Sequence, residues 1–131
     1  AQNGLKAYAD LVALVSGLPA MDRPAAIRLA EAAGARGAEA RLDLTLSLID
    51  LLLARAARPG VAGEPSSQGA PGEARLLTRI SPDVAAARTW ADLAQNLGAR
   101  ARHARAVNLD PAALILDTLF RIEAAARRTV A

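Results

Sequence analysis

Chemistry has few places to begin in this chain. His103 is its single histidine and there is no cysteine, which removes two-histidine metal motifs, thiolate metal sites, disulfides and thiol nucleophiles. Beside Arg102 and near Arg105, at what reads as a helix C-terminal end, His103 fits a solvated imidazole better than an acid or base. Thirteen carboxylates are spread over helix starts and polar faces. Asp10, Asp43, Asp50, Asp92 and Asp117 each fall inside an apolar helical pattern, where a charge needs water or an arginine partner. No spacing joins two of them into an acid–base dyad. The glycines of residues 59–72 share only composition with a phosphate loop, because no Lys-Ser or Lys-Thr follows and no strand precedes. No catalytic, cofactor-binding or metal-ligating residue is assigned, and no nucleotide is expected.

The densest basic cluster is Arg100, Arg102, His103 and Arg105. Cations are favourably placed against the negative end of a helix dipole, which accounts for the cluster without a ligand. A partner-facing or DNA-facing patch is the sharper reading. Arg102 and Arg105 lie three apart and share a face, while Arg100 points elsewhere, so a single surface for tracking phosphates is not expected. With a net charge of only +3, the chain lacks the strong basic excess usual in a nucleic-acid module.

The elements that must position these groups are helical. At 131 residues, with 53% apolar residues, the chain fits one domain with a core of its own. Alanine supplies about half of that apolar fraction, and Tyr8, Trp90 and Phe120 are the only aromatics. Leucine, alanine and arginine are strong helix formers, so an all-α fold is expected: a single compact domain of five to six helices with close helix approach. Residues 5–15 read as a first helix, with Leu5, Tyr8, Val12 and Val15 on one stripe. Asp22 offers a cap ahead of Pro24 for the second helix, which closes near Gly34 and Gly37.

Residues 38–58 form the third element. Leu42 to Leu48 alternate as a strand would, but the pattern runs on without a turn signal for about twenty residues, and its leucines favour a helix. Two stripes result: Leu42, Leu46, Ile49 and Leu53, then Leu44, Leu48, Leu51 and Leu52. This predicts the central helix, contacted from at least two sides. Proline, glycine and serine make residues 59–72 a surface loop or linker. A short helix over residues 73–80 follows. Ser81-Pro82-Asp83 reads as cap, first-position proline and first-turn acid for a helix carrying Trp90, Leu93, Leu97, Ala101 and Ala104. At residues 108–111 that helix stops; Asp110 caps and Pro111 opens a last helix to about residue 128. That helix is apolar around most of its circumference. No signal-peptide pattern and no membrane-spanning run is present, so a soluble, cytoplasmic chain is expected.

Trp90-Ala91-Asp92-Leu93-Ala94-Gln95, the arginine run to Arg105, and Asn108-Leu109-Asp110-Pro111 leading into Leu114-Ile115-Leu116-Asp117 resemble the C-terminal domain of the delta-prime subunit of bacterial DNA polymerase III. Leu5-Lys6-Ala7-Tyr8, Leu18-Pro19 and Asp22-Arg23-Pro24 follow that family's layout as well, so the resemblance runs over essentially the whole chain. It implies a clamp-loader collar domain, an oligomerisation module that holds its subunit in the ring loading the sliding clamp during DNA replication. The implied partners are the delta and gamma/tau subunits, with DNA met only indirectly, through the full complex, and no membrane. The ATPase-related elements of such subunits have no matching positions here, so no enzymatic activity is implied for this domain. Excess apolar surface on the last two helices suggests a subunit interface at Leu116, Leu119, Phe120 and Ile122, with Arg102 and Arg105 as its polar rim. Part of that apolar set must instead form the domain's own core. A basic helical nucleic-acid-binding module is the alternative, and an enzyme of unrecognised type would need a polar cleft that the sequence does not foreshadow.

Overall fold

Capping side chains set the starts of three of the described helices. The computed structural model describes residues 2–58 and 69–130. Among these it shows six helices and no strand, in a single compact helical domain: α1 (Gln2–Val15), α2 (Arg23–Ala33), α3 (Glu39–Ala56), α4 (Glu73–Ile80), α5 (Val84–Ala106) and α6 (Pro111–Thr129). Asp22 caps α2 by accepting from the Ala25 N–H at 3.0 Å, with Pro24 inside the first turn. Of the expected 59–72 loop, residues 59–68 lie outside the described residues. Residues 69–72 form a bend and turn, ending in Gly72 at φ +83 as the cap of α4. No described helix is long and apolar enough to cross a membrane.

The start of α5 departs from the sequence expectation. Its cap is Asp83, whose carboxylate accepts from the Ala86 N–H at 2.8 Å, so Pro82 stands before the helix and Val84 occupies its first position. Ser81 is turned inward instead. Its hydroxyl donates to the Ala56 carbonyl at 2.6 Å, satisfying an orphan acceptor at the end of α3. Trp90 does the same for α4: fully buried, it donates Nε1–H to the Ile80 carbonyl at 2.8 Å.

The turn between α5 and α6 is a paired stop and start. Asn108 takes the left-handed conformation at φ 59, which asparagine tolerates better than most residues. Its N–H bonds to the Arg105 carbonyl at 3.2 Å and that of Leu109 to the Ala104 carbonyl at 2.9 Å. This is the double bond pattern of a Schellman motif. Asp110 then accepts from Ala113 N–H at 3.1 Å, with Pro111 first in the helix. Leu109, just before the cap, and Leu114, four residues after it, stand in the relation of a hydrophobic staple.

Helix α3 is central, packing on α1, α2, α4 and α5, while α6 packs on α2 and α5. Its buried apolar residues are Ile49, Leu52, Leu53 and Ala56. The second leucine stripe is covered only in part: Leu52 is buried and Leu48 half-buried, but Leu44 and Leu51 are exposed, because neighbouring helices reach only part of its circumference. Alanines set the α2–α6 spacing. Ala26, Ala30 and Ala33 are the buried residues of α2, and a Cβ on Gly34 would come within 2.7 Å of the Ala112 nitrogen. Close approach thus replaces bulk, as the scarcity of aromatics predicts.

Candidate functional site

Two buried carboxylates, neither singled out by the sequence pattern, organise the polar interior. Glu73, at 0% exposure, accepts from the Tyr8 hydroxyl, from Gly69 N–H at 2.7 Å and from Arg55 Nη2 at 2.8 Å. Arg55 Nε also lies 2.8 Å from its second oxygen. Burial alone would push the Glu73 carboxyl up, but the hydrogen bonds from Tyr8, Gly69 and Arg55, with the guanidinium charge, hold it below its usual range. Burial and the bond to Glu73 push the Tyr8 phenol well above its ordinary value. All its donors come from within the fold, and neither surface groove described below is lined by Tyr8, Arg55 or Glu73. This cluster bolts α1, α3, α4 and the turn at Gly69 together.

Glu123 plays a similar part on α6. It accepts from the Met21 N–H at 3.0 Å and from Arg23 at 2.7 Å, with Arg127 at 3.4 Å. Met21 lies between α1 and α2, outside any helix, so this carboxylate answers a backbone donor that no ladder would satisfy. The only sequence signs are an apolar stretch around Glu123 and, for Glu73, a place in the first turn of a helix, neither of which marks a buried carboxylate. Its long-range partners are what distinguish it from an exposed one.

The arginine cluster is divided by the circumference of α5. Arg100 bonds Asp117 at 2.7 Å, and Arg121 reaches the same oxygen at 3.0 Å. Burial opposes ionisation of Asp117, but those two arginines hold its carboxyl below the usual range. On the other side, Arg105 pairs with Asp43 of α3. Of the remaining aspartates singled out by pattern, Asp10 pairs with Lys6 at 3.2 Å, and Asp50 and Asp92 are exposed to water. His103 is exposed in the last turn of α5.

The proposed interface residues do not form one surface. Leu119 is 0% and Ile122 1% exposed; they share the inward stripe of α6 with Ile115 and Ala126 and belong to the domain's own core. That is a correction to their placement at an interface. Leu116 and Phe120 lie four apart on the outer side. Leu116 is half-buried, and Phe120 is 37% exposed beneath the Arg23 guanidinium, 4.9 Å from its ring centroid, at the α2–α6 seam. Arg102 and Arg105 instead line a groove of about 430 Å³ between α3 and α5. A second groove, of about 540 Å³, lies between α5 and α6, with Leu109 and Leu114 among its apolar lining and Arg100, His103 and Asp117 at its polar edge.

Among the described residues no group of three or more His, Cys, Asp or Glu could hold a metal ion. The chemistry these surfaces offer is contact: apolar side chains, exposed cations and ion pairs already made. No protein-family model, curated protein or solved structure matches the chain.

Proposed function

We propose that this domain is a collar module of the clamp-loader type, holding a delta-prime-like subunit in its ring through contacts with the delta and gamma/tau subunits. One observation carries the reading beyond the sequence resemblance. The candidate contact residues separate onto two different faces, Phe120 at the α2–α6 seam with half-buried Leu116 one turn before it on α6, and Arg102 and Arg105 in the α3–α5 groove. A member of a ring of unlike subunits needs two unlike faces, one for each neighbour. A module that meets a single partner through one patch does not.

The nucleic-acid alternative draws less support. Two of its three arginines, Arg100 and Arg105, are engaged by aspartates, and they line different grooves. It requires duplex binding that falls steeply with salt, and absence of micromolar binding at low salt removes it. The collar reading is tested by light scattering and co-purification of the chain with cognate delta and gamma/tau subunits. Formation of a defined complex with both is expected; failure to join either would overturn the reading.

A further inference from the structure

Gly98 sits well inside α5, where glycine costs about 1 kcal/mol relative to alanine. Nothing among the described residues asks for it. A Cβ there would meet only Arg102 Nη1 at 3.5 Å, an ordinary contact. Gly34 and Gly17 are different, since a Cβ on either would come within 2.7 Å of backbone atoms. Gly98 lines the α3–α5 groove with Ala94 and Ala101 on neighbouring turns of α5, so the helix backbone is bared along this wall.

Two further features point into the same groove. Thr118 contributes to its lining and is only 4% exposed, yet its hydroxyl has no hydrogen-bond partner among the described residues. The oxygen is not fully enclosed and opens onto that groove. Asp50 on the α3 wall and Arg102 on the α5 wall carry opposite charges, and neither is ion-paired among the described residues. The Asp43–Arg105 pair crosses between the helices at one end. Seven residues on from Asp43 and seven back from Arg105, the antiparallel register sets Asp50 opposite Gly98.

We propose that this groove seats an α-helix of a neighbouring subunit. The seated helix lays a small residue over Gly98, offers a carboxylate to Arg102 and a cation to Asp50, and brings a short polar side chain to Thr118. The charges argue for a partner with both signs on its contact face, and the bared α5 backbone argues for close helix approach, ridge into groove. The inference rests on the ring-subunit reading above and adds where one neighbour docks and what its helix must carry.

Gly98→Leu fills the groove from a position that is open inside the chain. With leucine a better helix former, its melting temperature should match or exceed that of the original chain. Titration of the cognate delta and gamma/tau subunits, followed by sedimentation velocity, should show binding to one of them weakened about tenfold or more, with binding to the other unchanged. Arg102→Glu, an exposed change, serves as the second variant if Gly98→Leu does not fold, and should weaken the same subunit. Original affinity for both subunits in either folded variant overturns the groove assignment while leaving the ring reading intact. A chain that binds neither subunit before any substitution brings down both. Self-association that Gly98→Leu abolishes would give the groove to a second copy and overturn the proposed occupant.

Discussion

Glu73→Gln removes one buried charge while nearly preserving side-chain volume. In the folded chain this carboxylate is fully buried and takes hydrogen bonds from Tyr8, Gly69 and Arg55. The amide keeps one acceptor oxygen but turns an NH2 group toward donors and removes the negative charge that Arg55 meets at this position. Breaking a buried ion pair by removing one partner costs about 3–5 kcal/mol. The Arg55 side chain retains 22% exposure, so water takes up part of its charge and a loss of about 3 kcal/mol is expected. With a urea slope of about 2 kcal/mol/M, the unfolding midpoint falls by about 1.5 M. Trp90 is the natural probe, being the only tryptophan and bonded to the last residue of α4.

The pH dependence separates charge from packing. Glu73 is held below its ordinary value of 4.5 in the folded chain, so the unfolded chain takes up its proton first as pH falls. The stabilisation is complete above about pH 4.5 and is lost progressively as pH drops through the folded value. In Glu73→Gln that part of the acid slope disappears, while the part due to Asp117, lowered in the same sense, persists. Tyr8 acts at the other end. Its folded value is raised above 10.0, so its contribution is present below pH 10 and lost as pH rises beyond it. A Glu73→Gln midpoint within about 0.2 M of the original, with an unchanged acid slope, would refute the argument.

Gly34→Ala should cost about 1–3 kcal/mol by overpacking α2 against Ala112, read as a lower urea midpoint with an unchanged slope. Asn108→Ala forces a Cβ-bearing residue without a locally bonding side chain into the left-handed turn and should lose about 1–2 kcal/mol; Asn108→Gly should lose little, and equal losses in thermal unfolding would discount the backbone argument. Phe120→Asp removes an exposed ring at the α2–α6 seam. On the collar reading, it should leave the melting temperature within a few degrees yet weaken assembly with one clamp-loader subunit, and undiminished assembly would remove that seam from the proposed interface.

Local signals were legible in the sequence, and long-range ones were not. Asp22, Asp110 and Pro111 announce helix starts because a cap acts within three residues of itself. The strand-like alternation of Leu42 to Leu48 resolved to a helix on length and residue type, as α3 bears out. At Ser81-Pro82-Asp83 three good starting residues compete, and the choice fell to Ala56, a carbonyl 25 residues away that claims the Ser81 hydroxyl. The exposure of Leu44 and Leu51 has the same origin, since periodicity gives stripes but not which stripe a neighbour covers. The partition of Leu116, Leu119, Phe120 and Ile122 between core and surface likewise depends on where α2 and α5 lie.

The polar interior fastens chain segments that lie beside the helices to the helices themselves. Its two buried carboxylates take backbone donors that lie outside helices, Gly69 for Glu73 and Met21 for Glu123. Each therefore fastens a connection, the part of a helical domain otherwise freest to move, to the body of a helix. The α5–α6 turn is fastened differently, by the bonded reversal at Asn108 and Leu109 followed at once by the Asp110 cap. On the collar reading proposed above, a ring subunit that keeps two neighbours in register needs such fastening between its faces. Loosening one junction should consequently disturb assembly even where no interface residue has changed.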